Sequence, residues 1–365
     1  MPSDLPAYAA ELHVDLGRIV ANYASLSKLA GSSSCAAVVK ADAYGLGASR
    51  IASAFRDAGC REFFVATLAE GLDLRQALGP APRIFILNGL VPGTEDICAA
   101  AGLIPVLSTL DQCRAWSRIG AESALQVDSG MSRLGLDLDE QAVLAANTRL
   151  LSALNLTLLM SHLANADEPD HPSNRSQLAA FAASRARFPG LRASLANSAG
   201  IFLGSDYHHD LCRPGAALYG ISAGPLTSGI GAVATLTARI LQTRTIPAGV
   251  SVGYGYSFTA ERPTRVATIG VGYADGWPRT LSGVGCVHFE GVRLSMLGRV
   301  SMDSFAVDIT ALPADRHVDN ASVELIGSSC SVDDVATTAG TIGYEIFTGL
   351  GSRFHRTYGT RESAS

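Results

Sequence analysis

The feature that most constrains the fold is a regular alternation along the first two-thirds of the chain. Short apolar, β-branched runs recur at 35–40 (CAAVVK), 63–67 (FFVAT), 83–87 (RIFIL), 104–108 (IPVLS), 124–128 (ALQVD), 156–163 (LTLLMSHL), 192–197 (RASLAN) and 216–220 (AALYG). Between them lie stretches with apolar residues at helical spacing, such as 49–59, 68–79 and 137–154. Strands that alternate with helices build βαβ units and therefore a parallel sheet. Eight such units in about 210 residues fit a closed (β/α)8 barrel better than an open, doubly wound sheet.

From about residue 232 the texture changes. The stretches at 234–253, 264–275, 284–310 and 321–327 are rich in Val, Thr and Ile, with Gly and Pro punctuation. The helical pattern returns only briefly, at 331–340. The expected fold is α/β, an N-terminal (β/α)8 TIM-like barrel over residues 1–231 followed by a C-terminal β-rich domain over 232–365. The segment 10–16 (AELHVDL) also reads as a strand. It has no place in the barrel count and is a candidate to pair with the second domain.

Composition narrows the function classes. Of 365 residues, 47% are hydrophobic and 17% charged, enough for a sizeable core and unlike a disordered chain. A net charge of -5 without a basic run speaks against nucleic acid or an anionic membrane as partner. No apolar run approaches the roughly 20 residues of a membrane span. The seven cysteines (Cys35, Cys60, Cys98, Cys113, Cys212, Cys286, Cys330) are odd in number and form no C-x-x-C pair. That argues against a disulfide framework and against a zinc site, so no metal is expected. The N-terminus has neither a basic n-region nor an apolar h-region, so the expected location is cytoplasmic, without a signal peptide.

Barrel active sites form at the C-terminal ends of the strands, and phosphate sites favour the last two loops. Polar residues concentrate there. Lys40 closes the first strand; Gln126 and Asp128 end the fifth; His162 lies near the end of the sixth; Asn197 closes the seventh with Ser198 after it; Cys212 to Gly215 lead into the eighth. A lysine ending a buried strand is costly unless it has a partner or a task, because burial disfavours its charged form. A desolvated lysine is a good Schiff-base nucleophile. The alternative is a lysine snorkelling to solvent at the barrel rim. Gly45 and Gly47, with Tyr44, suggest a loop that lets backbone approach a ligand. Ser198 and the Gly215–Ala216 backbone could hold a phosphate.

AVVKADAYGLGA (37–48) resembles the cofactor-attachment segment of the alanine racemase family. The similarity continues in family order through VDSGMSRLG (127–135), SHLANADE (161–168), SLANSAG (194–200), RPGAALYG (213–220), SVGYGYSF (251–258), IGVGYADGWPR (269–279), LGRVSMD (297–303) and TIGYEIFTGLGSR (341–353). It covers nearly the whole chain. The resemblance implies pyridoxal 5'-phosphate as cofactor, a head-to-tail homodimer, and conversion of L-alanine to D-alanine for peptidoglycan.

By the same resemblance, Lys40 attaches the cofactor and then serves as base on the D face of the substrate. Tyr254, from the partner subunit, serves on the L face. Arg213 faces the pyridine nitrogen, with His162 in its network. Tyr44, Ser198, Gly215 and Ala216 hold the phosphate, and Asn197 and Tyr219 complete the cofactor-binding set. Arg133 and the Met302 backbone position the substrate carboxylate; Tyr273 and Asp303 lie near the entrance. Two bases on opposite faces remove and return the α-proton without turning the carbanion over. An arginine at the pyridine nitrogen stays protonated and keeps that nitrogen unprotonated, which should limit transamination.

Plainer readings stand beside these. His162 could be a satisfied core histidine, Tyr254 an ordinary aromatic beside Tyr256, Arg133 a rim ion pair, and Met302 and Asp303 strand and turn residues. His13, His171, His208, His209, His288, His317 and His355 are read as surface or structural. Two positions depart from the better-known family pattern. Gln126 stands where many members carry a carbamylated lysine, so no bicarbonate dependence is expected. Ser352 stands where some carry a phosphate-side tyrosine. The competing functions are a broad-specificity or serine racemase, a barrel decarboxylase of basic amino acids, and a non-catalytic cofactor carrier. Arg213 speaks against the decarboxylase, and the β-rich domain against the carrier.

Overall fold

The computed structural model describes residues 8–316 and 318–359. Residues 1–7, which open the segment read above for a leader, His317 and residues 360–365 lie outside the described residues. The chain divides into two compact units, Ile19–Gly231 and a second made of Met1–Arg18 with Ala232–Ser365. Among the described residues no helix is long and apolar enough to cross a membrane.

The unit Ile19–Gly231 is the barrel. Seven strands run parallel in chain order: Ala37–Val38, Glu62–Val65, Arg83–Ile86, Ile104–Leu107, Ser123–Gln126, Leu156–Met160 and Arg192–Ser194. Neighbours pair in register, for example Phe64 with Phe85 and Leu125 with Leu159. Strands such as Ile104–Leu107 are buried at every position, which is why they read as continuous apolar runs rather than alternating ones.

The eighth position differs from the sequence reading. AALYG is not a strand; Ala216–Tyr219 is a 3-10 turn between Gly215 and Gly220. The ring is completed just upstream by Leu211–Cys212, which pairs in parallel with Ser34–Cys35. Arg213 N–H donates to the Ala196 carbonyl, and Val38 N–H to the Pro214 carbonyl, so both edges are bridged. The reason for the shift is Pro214: it has no N–H to continue a ladder, so the strand stops before it.

The second unit is antiparallel. Its spine is the long strand Ala234–Ile246, which pairs with Thr264–Ile269 and with Ser322–Ile326. Phe305–Asp308, Val292–Leu297 and Cys286–Phe289 close the ring between those two. Ala10–Asp15 adds outside it, antiparallel to Ala234–Ile246 with Leu12 opposite Leu236. His355–Gly359 then pairs in parallel with Ala10–Asp15. Alternate side chains of Ala10–Asp15 are buried, as expected of a strand with one face on a core. Two helices follow the sheet, Val332–Ala339 and Gly343–Gly349; the second carried no helical signal strong enough to be read.

Candidate active site

Lys40 sits just beyond the buried strand Ala37–Val38, half-buried. Burial lowers its pKa, the Arg133 guanidinium lowers it further, and the Glu70 carboxylate opposes both. The four residues after it are the most unusual backbone in the barrel. Ala41, Asp42, Ala43 and Tyr44 have φ of 53, 54, 52 and 58° with ψ between 37 and 51°, one turn of left-handed helix. None is glycine, and each such L-residue costs about 1–2 kcal/mol. Strain of this kind persists only where surrounding contacts over-determine it, and it clusters at functional sites.

The contacts are specific. Ala43 N–H donates to the Val39 carbonyl at 2.9 Å and Gly47 N–H to the Asp42 carbonyl at 2.9 Å. The Asp42 carboxylate accepts from Ala48 N–H at 2.7 Å, and Glu70 Oε1 accepts from Ala41 N–H at 2.9 Å. The turn directs Tyr44 inward, where it is buried with its ring 4.7 Å from that of Tyr219. Tyr219 donates its hydroxyl to the Val38 carbonyl at 2.8 Å, and burial holds its pKa well above the ordinary tyrosine value.

Opposite Tyr44, the Ser198 hydroxyl gathers two backbone amides. Ser198 Oγ accepts from Gly215 N–H at 2.9 Å and from Ala217 N–H at 3.2 Å, leaving its own proton to donate. A Cβ at Gly215 would lie 2.3 Å from Tyr44 Oη, so only glycine leaves room between the tyrosine hydroxyl and these amides. The Ser198 hydroxyl proton, beside the space that Gly215 leaves open next to Tyr44, suits an oxygen of a phosphate. Asn197 works through the backbone: it accepts from Gly200 N–H at 2.9 Å as a helix cap and donates to the Leu163 carbonyl at 3.4 Å.

Arg213 is 3% exposed, and its partners are neutral: it donates to Ser194 Oγ and to the Ser161 carbonyl. Burial lowers its pKa to about 10, which still leaves it charged at neutral pH. His162 is pushed down to about 3, first by burial and then by Arg213, Arg133 and Lys40, and is therefore neutral. The four residues thus share one end of the barrel. Gln177 ties the adjoining loops together, donating to the His162 carbonyl and accepting from Ala164 N–H. Arg133 is exposed, on a loop whose Gly130, Met131 and Ser132 amides are gathered by the Asp128 carboxylate. Gln126 donates to the Leu134 carbonyl at 3.1 Å, so it acts on the backbone beside Arg133.

The remaining expected residues belong to the second unit. Tyr254 and Tyr256 are 72% and 75% exposed on the 3-10 turn Tyr254–Tyr256, with the Arg299 guanidinium beside Gly255 between them. Tyr273 N–H donates to the Ser301 carbonyl and Ala274 N–H to the Met302 carbonyl, which brings Tyr273, Met302 and Asp303 together. Gly272 permits this, since a Cβ there would lie 2.3 Å from the Met302 carbonyl oxygen. Arg353 pairs with both Asp275, at 3.1 Å, and Asp303, at 2.8 Å. Ser352 is exposed beside it.

Sequence reasoning missed Ser161, Ser194, Glu70 and Arg353. Of these only Glu70 had a local signal, the T-x-x-E capping pattern Thr67 to Glu70.

The family model of the alanine racemase N-terminal domain matches residues 14–223, and that of the C-terminal domain residues 233–358. A catabolic alanine racemase of Mesorhizobium japonicum is 50% identical over 364 residues, covering 98% of this chain and 95% of that protein. A catabolic alanine racemase of Agrobacterium fabrum is 49% identical over 359 residues, covering 96% and 92%. Among solved structures, alanine racemase from Bartonella henselae with covalently bound pyridoxal phosphate superposes with a TM-score of 0.93 at 44% identity, covering 97% of this chain and 100% of that one.

Proposed function

This chain belongs to the alanine racemase family, and we propose that it interconverts L- and D-alanine by a two-base mechanism with pyridoxal 5'-phosphate held on Lys40. The observation that carries the assignment of the lysine is its setting: a half-buried amine of lowered pKa that opens a strained turn, whose Tyr44 lies against the Gly215 backbone and so near Ser198. The residues present fit the cofactor. Ser198, the Gly215 and Ala216 backbone and Tyr44 would hold its phosphate, and Arg213 its ring nitrogen, with Asn197 and Tyr219 shaping the pocket through backbone hydrogen bonds. When bound, the cofactor supplies the electron sink that lets the amino acid's α-carbon give up its proton.

The protein's part is binding and proton movement. Lys40 Nζ, with burial favouring its neutral form, takes or returns the α-proton on one face. The partner subunit's Tyr254 serves the other face within a homodimer; its exposure in this chain and the Arg299 cation nearby support that role. Arg133 meets the substrate carboxylate, assisted by the Met302 backbone, and Tyr273 and Asp303 shape the approach. Arg213 remains charged, so it would hold the cofactor's ring nitrogen as a donor and disfavour its protonation. His162 is neutral and adds no fourth positive charge.

Purified protein with added cofactor, assayed by chiral chromatography on L-alanine, L-serine and L-lysine beside Lys40→Ala, tests this. D-Alanine is expected in clear excess over the other D-enantiomers, with a loss of at least about 10³-fold in the variant. Comparable turnover of all three substrates would replace the reading with a broad-specificity or serine racemase. An active Lys40→Ala would remove Lys40 from its role.

The physiological direction has two readings. D-Alanine for peptidoglycan is one, in the cytoplasm; the catabolic names of the two relatives favour the other, breakdown of D-alanine. A deletion strain separates them: D-alanine auxotrophy supports the first, failure to grow on D-alanine as carbon source the second.

A further inference from the structure

We propose that Glu70 is a positioning residue for Lys40, its carboxylate clamping the left-handed turn that follows the lysine onto the neighbouring strand–helix junction. Glu70 opens the helix Leu68–Leu78 and belongs to a capping box with Thr67. A capping box needs one carboxylate oxygen, and Oε2 fills that role, accepting from Thr67 N–H at 3.2 Å and from Ala66 N–H at 2.7 Å. Oε1 does something a cap does not require. It crosses to the preceding βα loop and accepts from Ala41 N–H, the first amide of the left-handed turn.

That amide is where a clamp has most effect. The turn's exit is already held by the Asp42 carboxylate on Ala48 N–H. Its entrance adjoins Lys40, and the side chain that holds it is Glu70. Released there, residues 41–44 would relax toward the right-handed region that L-residues prefer, carrying Lys40 and Tyr44 with them. The charged and titratable groups around Lys40 are Arg133, His162 and Glu70, and Glu70 is the one whose field favours the protonated amine. This inference rests on the reading of Lys40 as the anchoring amine, which Lys40→Ala tests separately.

The experiment compares Glu70→Gln, Thr67→Ala and the double variant Glu70→Gln/Ala41→Gly as holoenzymes. Glutamine has one acceptor oxygen and cannot serve both loops. Thr67→Ala weakens the cap and leaves Ala41 alone. Glycine at 41 adopts positive φ freely and needs less clamping. Three quantities are read: kcat and KM, the pH profile of kcat, in which Lys40 acts as a free amine, and the rate at which hydroxylamine strips the cofactor from Lys40. For Glu70→Gln, kcat is expected to fall about tenfold with KM within about twofold, and stripping to speed up about tenfold. Its Lys40 limb should move to lower pH.

Thr67→Ala is expected to change none of the three. Ala41→Gly is expected to restore kcat and the stripping rate most of the way while leaving the pH limb displaced, since it relieves strain and returns no charge. A Glu70→Gln protein that behaves like Thr67→Ala, or a loss that Ala41→Gly does not relieve, overturns the proposal. Glu70→Asp keeps the charge but is one methylene short of Ala41, and gives the same reading of kcat and stripping should Glu70→Gln not fold.

Discussion

At the N-terminal ends of the barrel strands, Glu62 holds Arg192 with both oxygens, at 2.9 and 3.0 Å, and also meets Arg83. Arg83 in turn reaches Glu122, and Thr157 donates to Glu122 at 2.7 Å. Two arginines and two glutamates cancel. At the C-terminal ends, Arg213 is met only by a serine hydroxyl and a backbone carbonyl among its hydrogen-bond partners, and it shares the surroundings of His162 with Lys40 and Arg133. The carboxylates of Glu70 and Asp128 contribute negative charge there, but they bond backbone amides and form no ion pair with these cations. Among the described residues, the same strands therefore begin in a network of paired charges and end in cations that no carboxylate pairs with. A closed network serves stability; an open one suits an anionic cofactor and a substrate carboxylate.

The comparison can be broken at either end. The largest effect is expected from Arg213→Glu, which reverses the charge at the open end. Racemisation should fall by about 10³-fold, and transamination, followed as pyruvate formed from alanine, should rise. Unchanged transamination would remove the idea that Arg213 restrains it.

At the closed end, Glu62→Gln leaves two arginines facing each other across one glutamate. Glu62 is 8% exposed, but its arginine partners are about one-third exposed, so solvent softens the loss. A destabilisation of about 2–3 kcal/mol is expected in urea unfolding, below the range for a fully buried pair. The kcat should stay within about twofold. A large fall in kcat would mean that the two ends are not independent.

At neutral pH the smallest effect comes from His162, which matters only in acid. Its folded pKa of about 3 lies below the unfolded value of about 6.5, so the unfolded chain binds the proton first as pH falls. Stability is thus lost from about pH 6.5 downward, at no more than about 1.4 kcal/mol per pH unit from this group, until the folded form also protonates near pH 3. His162→Asn should flatten that part of the stability curve. An identical acid limb in the variant would place the titrating group elsewhere.

Much of this was legible in the chain. The barrel strands announced themselves because parallel strands buried on both faces must be apolar throughout. Residues at their ends, Lys40, His162 and Ser198 among them, were legible as candidates because barrel chemistry collects there. The eighth strand was misplaced because AALYG has a strand's composition, while Leu211–Cys212 is too short to show one. Glu70 carried a capping signature whose second acceptor points to a loop 29 residues away, and local pattern cannot reveal that. Ser161 and Ser194 carried no signal at all, being ordinary serines until Arg213 is buried beside them.

What the sequence determined by itself was periodicity and order: which segments alternate, where the texture turns from βα to β, and which segments follow the family's succession. Those depend on neighbours a few residues apart. Tertiary structure alone decided that four non-glycine residues after Lys40 take a left-handed turn, that Ala10–Asp15 pairs with Ala234–Ile246, and that His162 is held neutral. Each is imposed by groups remote in sequence: a carboxylate, a strand, and for His162 burial reinforced by three cations, none of which is in place until the chain has folded.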